Sequence, residues 1–291
     1  MNYKQIVYLS SYPKSGNTWL RCFFDAYLTG EVDINNLVAS VTDDGAQRAL
    51  PGDGSNPAEF PIDVQQLTRP MAMLRLVRQF EMNKAETGLD IPLFVKTHNA
   101  HMITNGIELL PQSLTKAVIH IVRDPRDVIL SFAKHMGKDI DTAIELFFDK
   151  YRVLQDERRP KLCDFISSWP MHVASYANAD THNVRVFRYE DMKARPLDTF
   201  IKIVKHAGIE PDRARIEAAL EIVSLANLQK QENEKGFGES SPFAKNKFFG
   251  AGATGGWQDK LTPMQIHKIE KGCNSMMKRF KYEFSTKRKV A

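Results

Sequence analysis

The chain has 291 residues, 43% of them hydrophobic and 26% charged, which is enough for one large domain with a substantial core. Forty lysine and arginine residues against 35 aspartate and glutamate residues give a formal charge of +5. This charge suits a small anionic ligand and is too low and too evenly spread to predict nucleic-acid binding. The three cysteines are far apart and lack C-x-x-C spacing, which predicts neither disulfides nor a zinc site.

The sequence also limits where the protein works. No uninterrupted apolar stretch approaches the ~18 residues that a membrane-spanning helix needs. The first strand begins so early that we expect no signal peptide. These two observations predict a cytoplasmic protein without stable membrane insertion. Since neither repeats nor a linker is visible, we expect a single domain over residues 1–291.

Four short β-rich runs predict buried strands, and helical patterns follow the first, third and fourth of them. The four runs are 5–10 (QIVYLS), 92–96 (PLFVK), 117–122 (AVIHIV) and 183–187 (NVRVF). After the first run, apolar residues at helical spacing would lay one helix face on a sheet: Leu20, Phe23, Phe24, Tyr27 and Leu28. The alternation predicts an α/β fold with a central, mostly parallel sheet flanked by helices on both faces.

The rest of the chain is predicted to be mostly helical. The further helical patterns cover 142–155, 162–177, 197–207, 211–225 and 263–280. Two regions, 42–61 and 234–256, are rich in Gly, Pro, Ser and Asn and predict long loops. Long loops in a compact domain are often lids or binding loops, and we expect these two to cover the active site.

The first strand is followed by the loop SYPKSGNTWL, which contains Lys14, Ser15, Gly16 and Thr18. Backbone N–H groups at a helix start, hydroxyl donors and a mobile positive charge are what an anionic ligand needs. The loop does not match the Walker pattern, because Lys14 precedes Gly16 instead of following a glycine. It predicts a phosphate site of another kind.

Two more motifs follow predicted strands. Lys96-Thr97-His98 comes after the second strand, and RDPRD (123–127) comes after the third, with Ser131 one turn into the next helix. Alone, the first could be a surface turn and the second a capped helix start with solvated ion pairs. Ligands of parallel sheets bind beyond the carboxyl ends of the strands, so the three motifs together indicate one site.

The ordered set of YPKSGxTW, KTH, RDPRDVxxS and YEDM (189–192) resembles the cytosolic-type sulfotransferases that use 3′-phosphoadenosine 5′-phosphosulfate (PAPS). The matches run from residue 12 to residue 192, with a weaker tail to residue 262. The resemblance implies a P-loop-like sulfotransferase fold and transfer of a sulfuryl group from PAPS to a hydroxyl of a small-molecule acceptor. It implies adenosine 3′,5′-bisphosphate (PAP) as product, and no metal.

The resemblance also implies a role for each nucleotide-binding residue. Lys14, the Thr18 hydroxyl and the backbone N–H groups of Ser15, Gly16 and Asn17 would hold the 5′-phosphate. Two residues, Arg123 and Ser131, would hold the 3′-phosphate. Trp19 would stack on adenine and Tyr189 would contact the base edge, although a core tryptophan and a strand-end tyrosine without ligand stay open as alternatives.

Three residues would carry the chemistry. By the same resemblance, His98 would take the proton from the acceptor hydroxyl, a task that suits a group titrating near neutrality. Lys96 would stabilise the sulfuryl oxygens, and Lys14 would meet the bridging oxygen as it gains charge. His120 has no motif position and is predicted to be a buried strand histidine.

The chain departs from the family pattern at two nucleotide-binding positions, and it also has Pro263 and His267 where the C-terminal dimerisation motif of many animal members has Val and Glu. Where the family often has a Ser-Phe pair over adenine, this chain has Ser224-Leu225, of which Ser224 would still bind nucleotide. Where the family has Arg-Lys-Gly before G-x-x-G-x-W, this chain has GAGATGGW (250–257) without the two cations. Phosphate binding there would fall to backbone N–H groups around Gly252, or to Lys245 and Lys247.

Two other functions stay open on the sequence alone. A P-loop kinase-like phosphotransferase would share the sheet and the first loop, but should carry lysine after glycine and a strand-end carboxylate for Mg²⁺. A non-catalytic nucleotide-binding protein would not need both Lys96 and His98. The acceptor is not identified, and homo-oligomerisation is left open. Apolar side chains in the two loops and between them suggest a roomy pocket: Phe60, Met71, Met73, Phe80, Phe237, Phe243, Phe248 and Phe249.

Overall fold

The computed structural model describes residues 5–35, 37, 41–42, 91–104, 106–156, 159–239, 247–250 and 252–285. Nearly all of the predicted loop 42–61 lies outside the described residues, as does 240–246 in the second loop. Residues 62–90 lie outside them too, so the pocket residues Phe60, Met71, Met73, Phe80 and Phe243, and also Lys245, are not described.

Nine strands are described: β1 (Ile6–Ser11), β2 (Val41–Thr42), β3 (Leu93–Thr97), β4 (Ile103–Thr104), β5 (Ile107–Glu108), β6 (Thr115–Val122), β7 (Val153–Asp156), β8 (Arg159–Phe165) and β9 (Val184–Arg188). The main sheet has the order β2-β3-β1-β6-β9, and every neighbouring pair in it is parallel. The pairs β4-β5 and β7-β8 form small antiparallel ribbons. The predicted α/β fold with a parallel sheet is confirmed.

The helices described are α1 (Asn17–Thr29), α2 (Pro125–Met136), α3 (Ile140–Phe148), α4 (Trp169–Ala177), α5 (Tyr189–Ala194), α6 (Pro196–His206), α7 (Arg213–Ile222), α8 (Leu225–Lys235), α9 (Pro263–Gly272) and α10 (Asn274–Arg279). Local sequence fixes several of their starts. The Asp124 carboxylate caps α2 by accepting the Arg126 N–H, and Pro125 occupies the first turn. A capping box of Thr262 and Gln265 starts α9 in the same way.

The central strand β1 is buried on both faces. Val7 and Leu9 belong to a core cluster with residues of α1, α6 and α7, whereas Ile6 and Tyr8 belong to a second cluster that includes Tyr176 of α4. The apolar run Ile6–Leu9 of this strand is typical of a parallel sheet covered on both sides. The predicted apolar face of α1 is buried as well, through Leu20, Phe23, Phe24 and Tyr27.

Two helix predictions are partly wrong. The pattern 142–155 stops at Phe148, because the Asp149 carboxylate accepts the Tyr151 N–H at 2.9 Å in an Asx turn. The pattern 162–177 is helical only from Trp169, since β8 pairs with β7 and Ser167 adopts a left-handed φ of 58° before the helix. Strand pairing across a hairpin has overridden local helical spacing there.

Two further helical regions also differ from the prediction, by smaller amounts. The pattern 263–280 is divided at Cys273 into α9 and α10. Helix α8 was not predicted beyond its first residue, because Leu228 and Glu232 are its only buried residues among those described, and so weak an apolar stripe gives little periodic signal.

Candidate active site

The parallel strands β1, β3 and β6 end at one edge of the sheet, where a cleft of about 1160 Å³ opens. The sequence-predicted residues that line it come from all the motifs: Lys14, Gly16, Asn17, Thr18, Trp19, Lys96, His98, Arg123, Ser131, Tyr189, Ser224 and Gly252. Ser15 is fully buried within the first loop. The fold therefore brings motifs that are more than 200 residues apart in the chain into one cavity.

The first loop has an unusual backbone. Lys14 and Gly16 both adopt left-handed conformations, with φ of 69° and 111°. A Cβ on Gly16 would lie 2.6 Å from the Tyr189 ring, so only glycine fits this position. Gly16 also caps α1 without any side-chain hydrogen bond. The first-turn N–H groups of α1 are thus left for an acceptor outside the helix.

Two polar side chains of this loop behave differently. The Asn17 amide donates to the Leu9 carbonyl at 2.8 Å, which ties the loop to β1. The Asn17 side chain therefore has a structural role, whereas its backbone N–H belongs to the first turn of α1. The Ser15 hydroxyl is buried and has no hydrogen-bond partner among the described residues. An orphaned hydroxyl beside a helix N-terminus fits an anionic oxygen.

Lys14 lies among other cations. Its Nζ is 3.8 Å from the centre of the Phe248 ring. Burial, together with the nearby charges of Arg123, Lys134 and Lys96, lowers the pKa of Lys14 to about 7. Such a concentration of positive charge is unfavourable by itself, and a polyanionic ligand in the cleft would relieve it.

Arg123 connects two loops. Its Nη1 donates to the Lys14 carbonyl at 3.1 Å and its Nη2 to the Ala253 carbonyl at 2.9 Å. The guanidinium also lies over the Tyr189 ring at 4.6 Å, and the Tyr189 hydroxyl donates to the Gly252 carbonyl at 3.2 Å. The first loop and the glycine-rich loop around Gly252 are therefore fixed relative to each other through Arg123 and Tyr189.

The other charges of the RDPRD motif stabilise this arrangement. Asp127 accepts the N–H groups of Gly255 and Trp257 at 2.7 and 3.1 Å, which anchors the glycine-rich loop to α2. Arg126 is buried, with its nitrogens 2.7 Å from Asp124 and 2.6 Å from Glu270. Within one short motif, Arg123 faces the cleft while Arg126 is part of the structural core.

Trp19 joins the core to the cleft. Its Nε1 donates to the Val223 carbonyl at 3.2 Å, and its ring meets those of Tyr189 and Phe200 at 6.0 and 5.4 Å in edge-on geometry. Half-buried, it still lines the cavity. Ser224 is the N-cap residue of α8, but its hydroxyl makes no capping bond there.

Two further cleft residues, Lys96 and His98, come from the end of β3 and the position after it. His98 Nδ1 lies 2.8 Å from the Ser11 carbonyl oxygen. A carbonyl can only accept, so Nδ1 carries the proton and Nε2 keeps a basic lone pair. Burial and the neighbouring Lys96 charge lower the pKa of His98 to about 3, so the ring is neutral at pH 7 but does not titrate near neutrality as the sequence predicts. Negative charge from an anionic ligand beside it would raise this pKa and make the ring a stronger base.

Lys96 has a carboxylate partner. Its Nζ is 3.3 Å from Glu239 Oε2, and Glu239 Oε1 is 2.6 Å from Arg21. Burial alone would raise the pKa of Glu239, but Lys96 and Arg21 together lower it to about 2. The carboxylate is therefore ionised at all physiological pH values.

Several cleft residues were missed by the sequence analysis. They are Lys134, His135, Lys193 and Glu239. Lys134 lies one turn after Ser131, and Lys193 one turn after Tyr189, so helical spacing from the motif residues would have indicated both. Glu239 follows α8 in a loop and has no sequence signal of this kind.

Two features are absent from the described parts of the chain. No cluster there offers three or more His, Cys, Asp or Glu side chains arranged to hold a metal ion. No helix in these parts combines the length and apolarity needed to cross a bilayer.

A family model described as the sulfotransferase domain matches residues 4–281. The chain belongs to the sulfotransferase family. The predicted family and enzyme class are thereby confirmed. The sulfotransferase is 25% identical over 290 residues to cytosolic sulfotransferase 17 of Arabidopsis thaliana, covering 90% of this chain and 71% of that one. It is also 25% identical over 284 residues to flavonol 3-sulfotransferase of Flaveria bidentis, covering 91% and 79% of the two chains.

Solved structures agree on the fold of this sulfotransferase. A crystal structure of retinol dehydratase in complex with androsterone and PAP matches with a TM-score of 0.62 at 17% identity, covering 97% of this chain and 83% of that one. A mouse sulfotransferase complexed with PAP matches with a TM-score of 0.58 at 17% identity, covering 95% and 84%. The predicted P-loop-like sulfotransferase fold is confirmed.

Proposed function

We propose that this sulfotransferase transfers the sulfuryl group of PAPS to a hydroxyl of a small-molecule acceptor by in-line displacement, with His98 as general base. One observation carries the proposal: a single cleft joins a cation-rich phosphate loop to a neutral histidine whose Nε2 is free to accept a proton. Anion binding and proton abstraction are the two tasks that this transfer requires.

The donor would bind along the first loop. The N–H groups at the start of α1, the orphaned Ser15 hydroxyl, Thr18 and the Lys14 ammonium would hold the 5′-phosphate. Arg123 and Ser131, which line the same cleft, would hold the 3′-phosphate. The fit is electrostatic as well as geometric, because the phosphates would neutralise the charges that lower the Lys14 pKa.

The base of the nucleotide would occupy the aromatic side of the cleft. Trp19 lines the cleft there, while its indole N–H is fixed by Val223. Tyr189, Ser224 and the backbone at Gly252 complete the lining near it. Because Arg123 and Tyr189 already bond to backbone carbonyls, this part of the site would need little rearrangement on binding.

The reaction follows from the positions of three side chains. His98 Nε2 would take the hydroxyl proton as the acceptor oxygen forms its bond to sulfur. The bond from sulfur to the 5′-phosphate oxygen breaks, and the electron pair leaves with PAP. Lys14 would stabilise the charge on that leaving oxygen, and Lys96 the charge on the sulfuryl oxygens. Positioning and electrostatics supply most of the rate enhancement in such a transfer.

The cellular location and the class of acceptor are also part of the proposal. Relatives named cytosolic sulfotransferases support a cytoplasmic location. The acceptor would enter beside His98, in the cleft that the partly apolar surface of Phe248 and Phe249 also lines. That retinol dehydratase was solved with androsterone and with retinol supports a small hydroxylated acceptor class. The single-domain organisation stays a prediction.

Isothermal titration calorimetry with PAP, with ATP plus Mg²⁺ and with NAD tests the donor assignment directly. We expect tight binding of PAP and little response to the other two. Preference for ATP with Mg²⁺ would overturn the proposal in favour of a phosphotransferase. After PAP binding is established, incubation with PAPS and a panel of phenols and alcohols would identify the acceptor class by sulfated product.

A further inference from the structure

Glu239 occupies the reacting end of the cleft but has no part in the proposed chemistry. Its carboxylate is divided between two cations: Oε1 is 2.6 Å from Arg21 and Oε2 is 3.3 Å from Lys96. Its side chain is 36% exposed and lines the same cavity as His98 and Lys14. Lys96 is therefore held by a carboxylate at the place where the proposed mechanism requires it to meet sulfuryl oxygens.

We propose that Glu239 is a positioning residue that holds Lys96 in the nucleotide-free protein and competes with the sulfuryl group for it. The carboxylate thereby limits how strongly the protein prefers PAPS over PAP. This inference rests on the proposed function, since it requires the donor to bind with its sulfuryl group near Lys96.

The two cations of Glu239 differ in their freedom to move. The Arg21 side chain is 5% exposed and projects from the buried face of α1. Lys96 is 19% exposed at the end of β3 and lines the cleft. A ligand in the cleft can therefore reach Lys96, while Arg21 stays in place as the anchor of the carboxylate.

The loop that carries Glu239 is itself held. Gly238 donates its N–H to the Asn35 side-chain oxygen at 2.7 Å, and the Asn35 amide donates to the Gly236 carbonyl at 3.1 Å. Phe237 in this loop packs against Phe248 and Phe249. Because these contacts do not involve Lys96, the carboxylate would keep its position when Lys96 turns toward a ligand.

The competition should affect PAPS and not PAP. The two nucleotides differ only in the sulfuryl group on the 5′-phosphate, so the loss of the Lys96–Glu239 contact is required by PAPS alone. The negative charge of Glu239 also repels both nucleotides at longer range. The part of that effect that is common to the two cancels in the ratio of their dissociation constants, and any part that acts on the sulfuryl group directly is measured in the Lys96→Ala background.

Calorimetric titration with PAP and with PAPS, in the absence of acceptor, tests the inference on the full chain. In Glu239→Gln the amide oxygen can still accept from Arg21, but the charge that holds Lys96 is gone. We expect the ratio Kd(PAP)/Kd(PAPS) to rise about three- to tenfold over wild type. Glu234→Gln, at an exposed position of α8, is the matched control and should leave the ratio unchanged.

A double-mutant cycle shows whether the effect passes through Lys96. In the Lys96→Ala background, Glu239→Gln should no longer change the ratio. An equal rise in that background would mean that the carboxylate acts on the nucleotide directly, and would overturn the proposal. So would an unchanged or lowered ratio in Glu239→Gln itself.

The outcome for the wild-type protein separates this inference from the proposed function. If wild-type protein binds neither PAP nor PAPS, the proposed function fails, and this inference fails with it. If it binds both and Glu239→Gln leaves their ratio unmoved, the function stands and only the role of Glu239 is wrong. A thermal melt that matches wild type shows that the variant is folded.

Discussion

The two ends of the cleft are built in different ways. One group, proposed to bind the nucleotide and here called the phosphate wall, consists of Lys14, Gly16, Arg123, Tyr189 and Gly252. The transfer end consists of Lys96, His98 and Glu239. The wall is fixed by side-chain bonds to backbone carbonyls, at Lys14, Gly252 and Ala253. At the transfer end Lys96 is held instead by a side-chain ion pair. The comparison teaches that backbone carbonyls fix the side chains proposed to hold the nucleotide, and also His98, whereas Lys96 is held only by an ion pair and can turn toward a ligand.

The largest effect should come from His98. If the two ends are functionally separate, His98→Ala should lower turnover by about 10²- to 10⁴-fold, because it removes the proton acceptor. PAP affinity should change little, since His98 bonds to Ser11 and not to the phosphate wall. Steady-state rates with an identified acceptor, beside PAP calorimetry, give both numbers. Wild-type turnover would remove the general-base role, and a parallel loss of PAP binding would break the comparison.

The phosphate wall can be tested with two arginines of one motif. Arg123→Ala should weaken PAP binding about ten- to hundredfold, because charge-assisted hydrogen bonds to the 3′-phosphate are lost. Binding of adenosine 5′-monophosphate, which lacks that phosphate, should weaken far less. Equal losses would show instead that Arg123 acts by joining the Lys14 and Ala253 backbones.

Arg126 serves as the matched control in the same helix start. It is buried between Asp124 and Glu270, so Arg126→Ala leaves two carboxylates without their shared cation. We expect it to lower the free energy of unfolding by about 3 kcal/mol. The folded fraction should still discriminate PAP from adenosine 5′-monophosphate. Urea unfolding and calorimetry on the folded protein would separate the two roles.

These two arginines also show how far the sequence alone could go. The strands, the first loop and the position of each motif follow from local patterns of apolar runs, glycine and lysine. The different roles of Arg123 and Arg126 do not follow from local patterns, because Arg126 is paired with Glu270, which lies on a helix 144 positions away in the chain. Glu239 is similar, since its partners Arg21 and Lys96 come from α1 and β3. The β7-β8 ribbon was missed because strand pairing, not spacing, determines it.

Histidines buried behind the transfer end should make stability depend on pH. His172 is fully buried, and burial lowers its pKa to about 4. An unfolded histidine titrates near 6.5, so this stabilisation is complete above pH 6.5 and is lost as the pH falls toward 4. At pH 5 the loss is about 2 kcal/mol. His172→Gln should therefore reduce the difference in unfolding free energy between pH 7 and pH 5.

The control for that measurement is an exposed histidine on α9. His267→Gln should leave the difference between pH 7 and pH 5 as it is in wild type, because the side chain is solvated in both states. Urea unfolding at the two pH values measures all three proteins. If His172→Gln and His267→Gln gave the same pH dependence, the burial of a neutral His172 would not be its cause.

The smallest effect concerns a proton on the phosphate wall. With its pKa lowered to about 7 by burial and neighbouring cations, Lys14 is mostly neutral at pH 8 in the nucleotide-free protein. Phosphate charges beside it would raise that pKa, so PAP binding at pH 8 should take up almost one proton, and less at pH 6. Calorimetry in buffers of different ionisation enthalpy counts this proton. Lys14→Arg, which stays charged, should bind PAP without the uptake. Uptake that persisted in Lys14→Arg would assign the proton to another group, and the phosphate wall would then be charged before the nucleotide arrives.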